Sequence, residues 1–286
     1  MAELKHTFKT DILFKMLFTK HKNLLRHLVA HLLRIPLNDI TEFRLENPEM
    51  PPESMGKKFT HLDIHMAVNY QQVNLEVQVE NEQNYPERSL YHWARMYSNA
   101  LPVGEDYAEL PRTIVISILD FPLFKQYAQY HSEFQAMEVT RNNPLTDKMV
   151  LHFFELPKLP ECTGSDDILL LWLTLFNANT EEELTRIKDM EVSELSEAVN
   201  AYHNVTKSAE FREIERLRIK ASHDEAQALK NAEQRGEKRA NAKWQGVIAD
   251  KDAELEDMGS IIADKDAKLV ELSKKVAELQ AEGGIK

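Results

Sequence analysis

Residues 59–68 read FTHLDIHMAV and residues 73–80 read VNLEVQVE, with NYQQ between them. Both runs alternate with a period of two, which places successive side chains on opposite faces of a strand. In the first, Leu62, Ile64, Met66 and Val68 share a face, while His61, Asp63 and His65 share the other. In the second, Val73, Leu75, Val77 and Val79 oppose Glu76, Gln78 and Glu80. Two such strands joined by a short polar link predict a hairpin with one apolar and one polar face.

Working outward, DILFKMLFTK and the leucine-rich stretch from Asn23 predict two helices over 10–34, with Thr10 and Asn23 as caps. ITEFRLE, 40–46, alternates weakly and predicts a first strand. NPEMPPESMG, 47–56, holds three prolines and a glycine and reads as a loop. Pro86 suits the first turn of a helix running to about Leu101, and RTIVISIL, 112–119, is a β-branched strand. The order is therefore αβββαβ. Residues 121–200 are mixed and acidic, with an apolar helix over 168–177 and another from Thr180. Beyond about 193 the composition is helical, and IADKDAEL at 248–255 returns as IADKDAKL at 262–269, two heptads on. Ile248, Leu255, Ile262, Leu269 and Val276 then fill one heptad position. Lys251, Met258, Lys265, Leu272 and Leu279 lie three residues further along, which predicts a coiled coil over about 244–280.

The formal net charge is −12, which argues against a broad sequence-independent grip on DNA. It is unevenly spread. Residues 1–100 hold 12 basic and 12 acidic side chains and seven of the eleven histidines, whereas residues 101–200 hold 7 and 18. A local cleft made positive by a bound metal is compatible with that distribution. The single cysteine, Cys162, permits no disulfide within the chain and argues against a Cys-based zinc site. No apolar run approaches the roughly 20 residues a spanning helix needs, and MAELKHTFKT has no signal-like apolar core. The expectation is a cytoplasmic protein with no membrane partner.

Asp63 and Glu76 on facing strands suggest chemistry. Phosphodiester hydrolysis uses a hard cation held by carboxylate oxygens, which activates water and neutralises phosphate charge. Asp63 and Glu76 can hold such an ion, the Val77 carbonyl can add a ligand, and Gln78 can orient the water. On spacing alone, ordinary alternation is the better explanation of two outward carboxylates. His61 and His65 are about 13 Å apart along a strand, too far to share one zinc.

The flanking motifs add to this reading. DILFKMLF at 11–18, LDI at 62–64, LEVQ at 75–78, NYPERSLY at 84–91 and GEDYAELP at 104–111 together resemble the recombination-promoting nucleases, or PD-(D/E)XK nuclease family transposases. The resemblance covers roughly residues 8–125 and implies a restriction-endonuclease-like α/β core with a mixed sheet flanked by helices. It also implies Mg2+- or Mn2+-dependent cleavage of DNA linked to recombination, mobile elements or phage defence in bacteria. By resemblance Asp63 is the first catalytic aspartate, Glu76 the acidic residue of the next strand, and Gln78 stands where the wider superfamily has lysine. Lys15, Lys58 and Arg88 are candidates for the missing cation. Asp11 resembles an acidic residue of the first helix that assists the metal. The expected organisation is a nuclease-like core over 1–130, an acidic, mainly helical region over 131–200, and a helical tail over 201–286 that makes a homodimer or higher oligomer. The competing reading keeps the fold without catalysis, as a coiled-coil interaction module.

Overall fold

In the computed structural model the described residues are 3–46, 64–81, 83–102, 104–161 and 167–283. The expected loop at 47–56, the start of the strand expected from residue 59, Lys58, His61, Asp63 and Cys162 lie outside them.

Helices α1 (Asp11–Lys20) and α2 (Lys22–Leu32) precede β1 (Phe43–Leu45), β2 (Ile64–Val68) and β3 (Gln71–Gln78). Helix α3 (Tyr85–Asn99) leads to β4 (Thr113–Leu119), followed by β5 (His131–Gln135) and β6 (Met149–Glu155). Helices α4 (Ile168–Asn177), α5 (Glu181–Lys188), α6 (Ser193–Lys207) and α7 (Ala209–Gly283) complete the order. The strands form one sheet in the order β1-β2-β3-β4-β6-β5. The pairs β3–β4 and β4–β6 are parallel and the others antiparallel, so the sheet is mixed.

The alternating runs do form a hairpin. Val68 faces Gln71, so the turn is only Asn69–Tyr70, and the second strand starts two residues before the expected Val73. Both turn residues have positive φ, 47° and 62°, the hairpin geometry that matches strand twist. Asn69 tolerates this and its side chain accepts from the backbone N–H groups of Thr41 (2.9 Å) and Glu42 (3.1 Å), tying the turn to the residues before β1.

One sheet face carries Val73, Leu75, Ile114, Ile116, Val150 and Phe154 into the main core, shared with α1, α2, α4 and α6. Phe18 stacks on Phe176 there, and Trp172 is fully buried. The other face carries Val115, Leu119, Leu151 and Phe153, which pack with Tyr85 at the start of α3. Pro86 lies in the first turn of α3, as its sequence position suggested. Thr180 makes a full capping box with Glu183 at α5. Helix α2 starts at Lys22, so Asn23 is inside it and caps nothing.

The region after residue 130 departs from the expectation of a mainly helical appendage. Residues 131–135 and 149–155 are strands of the same sheet. Helices α4 to α6 supply much of the main core. The chain divides into two compact units, one ending at Arg218 and the other starting at Ile219, with no boundary near 130. The physical reason is burial: β6 is covered on both faces, so its sequence, MVLHFFE, lacks alternation.

Tyr70 is 85% exposed, so its side chain contributes little to hold its left-handed backbone. Tyr70→Gly is expected to raise stability by about 1 kcal/mol, the scale of the left-handed penalty for an L-residue, read as a higher urea midpoint at unchanged m.

Candidate active site

On β3, Asn74, Glu76 and Gln78 share the face opposite Val73 and Leu75. That face lies under α3. Glu76 is 3% exposed, a burial a carboxyl tolerates only with partners. Tyr85 supplies one: its O–H donates to Glu76 Oε1 at 2.6 Å. Ser117 supplies another at 3.4 Å from β4, where parallel pairing sets it directly beside Glu76. Glu76 Oε2 is buried and has no hydrogen-bond partner among the described residues.

Arg88 sits one turn beyond Tyr85 on α3. Its Nη2 donates to Gln78 Oε1 at 2.9 Å and lies 4.0 Å from Glu76 Oε2. Its guanidinium carbon is 5.2 Å from the centre of the Tyr85 ring, within cation–π range. Gln78 in turn donates from Nε2 to the Glu80 carbonyl at 3.0 Å. The amide is therefore oriented from both ends: Arg88 offers only donors and the carbonyl only accepts. A helix-borne cation therefore stands beside Gln78.

Burial and the Glu76 carboxylate hold the Tyr85 hydroxyl well above its ordinary pKa, so it stays a donor across neutral pH. His65 on β2 faces Asn74 in the hairpin register. Burial first, and then the basic side chains of His92, Lys15 and Arg95, push its pKa down against the opposing pull of Glu46. Basic groups thus gather around His65, contrary to the sign of the whole chain. Asn74 is fully buried, and neither side-chain polar atom has a partner among the described residues.

The structure brings Glu76, Gln78 and Arg88 together. Val77, between the first two, turns its side chain toward the main core. Lys15 is buried on α1, near enough to His65 to act on it. Asp11 is engaged elsewhere, accepting from Arg218 on α7 at 2.7 Å. Tyr85 and Ser117 were not anticipated. Tyr85 belongs to the NYPERSLY motif, whose spacing puts a tyrosine and an arginine one turn apart on one helix face, and that signal could have found it. Trp93 packs, donating to the Thr113 carbonyl at 3.0 Å and stacking on Tyr97, but Tyr91 is 63% exposed. No group of three His, Cys, Asp or Glu side chains that could hold a metal occurs among the described residues, and no helix there is long and apolar enough to cross a membrane. A hard divalent cation suits the donor that is present: a buried carboxylate oxygen without a hydrogen-bond partner among the described residues.

The mixed sheet sets an acidic residue and a polar partner two positions on in one strand, both under a helix. The family model of the PD-(D/E)XK nuclease family transposases matches residues 8–232, and the chain belongs to that family. Comparisons with curated proteins and with solved structures return no match.

Removing the Tyr85 hydroxyl leaves Glu76 Oε1 with the longer Ser117 contact. Tyr85→Phe is expected to lose about 1–3 kcal/mol, the range for a hydrogen bond to a charged or buried group, in equilibrium urea unfolding. The pH dependence has a definite sign. Folded Tyr85 keeps its proton above pH ~10, where an unfolded tyrosine loses it, so stability falls as pH rises past that value. The difference between wild type and Tyr85→Phe should shrink over the same range.

Proposed function

We propose that the chain is a divalent-metal-dependent DNA endonuclease whose ion is held by Asp63 and Glu76, with the Val77 carbonyl as a further ligand. The observation that carries this is the state of Glu76: one oxygen fixed by Tyr85, the other buried and without a hydrogen-bond partner among the described residues, with Arg88 4.0 Å away. Mg2+ is the expected ion and Mn2+ a substitute. When bound, it supplies Lewis acidity toward the phosphate and lowers the pKa of a water.

The chain's own groups have these roles. Tyr85 and Ser117 hold the Glu76 carboxylate in one orientation. Gln78, fixed by Arg88 and the Glu80 carbonyl, has one N–H and one lone pair beyond those contacts for a water. Arg88 supplies positive charge in place of the superfamily's lysine, which glutamine cannot do. Lys15 and Lys58 are the other candidates for that charge, and Asp11 for metal assistance. Its pairing with Arg218 gives Asp11 a structural use as well. The biological setting that the family suggests is DNA recombination, mobile elements or phage defence in a bacterial cytoplasm. Self-association through the C-terminal heptads would give two active sites, as a double-strand cut requires.

The test is cleavage of plasmid DNA with Mg2+, Mn2+ or chelator. Wild type should cut only with metal, and Glu76→Ala and Asp63→Ala should not cut. Arg88→Ala should slow cutting by about 10²-fold, the scale for losing one preorganised donor at a developing charge. Equal cutting by wild type and Glu76→Ala would sink the proposal. The reading as a non-catalytic interaction module is favoured by Gln78 in the lysine position. DNA binding without cutting under either metal would establish it.

A further inference from the structure

In the unit that starts at Ile219, α7 carries eight large apolar side chains on a stripe with no partner among the described residues of that unit. Ile248, Leu255, Met258, Ile262, Leu269, Leu272, Val276 and Leu279 are each between 51% and 67% exposed. Their seven-residue period is that of a left-handed supercoil seam and not of a lone solvated helix. Resting on the self-association proposed above, we infer that residues 248–279 form an antiparallel coiled coil with a second copy of this chain, Ile248 facing Leu279 of the partner subunit.

Charge decides the orientation. In a parallel, in-register pair Lys251 would face Lys251 of the partner subunit, and Lys265 would face Lys265 of the partner subunit, inside the seam. The flanking positions would offset nothing. Glu254 would meet a glycine, Lys268 a serine and Lys275 a glutamine. Reversing one helix removes the Lys251 clash and moves the two Lys265 side chains from face to face into adjacent layers. Lys251 then faces Val276 of the partner subunit, Lys265 faces Ile262 of the partner subunit, and each lysine stem can cover apolar surface while its ammonium reaches water. The flanks now attract, because Glu254 lies beside Lys275 of the partner subunit, twice by symmetry.

The register is fixed by the same reasoning. This alignment uses every seam position from Ile248 to Leu279. Sliding by one heptad in one direction sets Asp252 beside Asp266 of the partner subunit. Sliding in the other sets Lys268 beside Lys268 of the partner subunit. Each slide also leaves the last seam residues of each helix uncovered. Within the single helix Glu254 pairs with Lys251 at 2.6 Å and Lys275 with Glu271 at 3.2 Å. Both are exposed pairs, which hold their partners weakly.

The orientation has a geometric effect. At 1.5 Å per residue the two Trp244 residues stand about 60 Å apart in the antiparallel pair, against about 10 Å in a parallel one.

Disulfide trapping in the full-length protein tests this, in a Cys162→Ser background so that no native thiol competes. The pair Lys251→Cys/Val276→Cys should give mostly cross-linked dimer on a non-reducing gel, and Lys251→Cys alone or Val276→Cys alone little. Efficient trapping by either single variant overturns the orientation. A dimer in which the double variant fails to trap overturns the register. Sedimentation of wild type at the mass of one chain overturns self-association itself. None of these readouts uses cleavage, so failure of the nuclease reading leaves the inference standing, and the reverse.

Discussion

A carboxyl group only 3% exposed in the middle of a sheet is the constraint around which the functional face is organised. Glu76 can sit there because three elements converge on it. Strand β3 places it on the polar face, β4 brings Ser117 alongside by parallel register, and the first turn of α3 delivers the Tyr85 hydroxyl. Parallel pairing of β3 and β4 requires a crossover, and α3 is that crossover. The helix that closes the topology therefore also carries Tyr85 and Arg88. Fold and site depend on one segment, residues 71–99.

Putting the cation on α3 changes what it can do. A lysine on the strand would be a point charge on a flexible stem, whereas a guanidinium offers a planar fork of donors. Arg88 binds Gln78, approaches Glu76 and lies over the Tyr85 ring. It links members of the site that a lysine would contact singly. Gln78 then holds Arg88 by its carbonyl oxygen as well as facing the site, so the two residues form one arrangement.

Sequence was most informative where a strand is buried on one side. Alternation exposed the hairpin, its faces, and the common side of Glu76 and Gln78, and Pro86 and Thr180 marked helix starts by local chemistry. It was least informative where tertiary structure overrides pattern. Strand β6 is covered on both faces and loses its period, while β5, HSEFQ, is a polar edge strand whose Glu133 and Gln135 are exposed. Both fell inside an acidic region whose composition suggested helices. The hairpin turn held two residues and not four, because Asn69 bonds the segment before β1, a contact between positions 27 and 28 apart. The Tyr85–Glu76 bond escaped for a related reason: the strand and helix residues are near in sequence, but only the crossover geometry aims one at the other. Asp63 and Lys58 lie outside the described residues, so the first carboxylate of the expected pair rests on the motif.

The first residues of the chain are fastened by its later ones. The Leu4 N–H donates to the Asn179 carbonyl, Lys9 pairs with Asp120, and the Tyr202 hydroxyl donates to the His6 carbonyl. Lys5 reaches Glu215 on α7, and Phe8 stacks on Tyr202. At about 5–20 residues per second, a ribosome makes the opening segment many seconds before it makes these partners. The segment preceding α1 is therefore made well before the residues of α6 and α7 that hold it. A nascent chain halted before α6 would hold the Glu76 strand, the Arg88 helix, Asp120 and Asn179, yet lack the Tyr202 and Glu215 contacts to its own beginning.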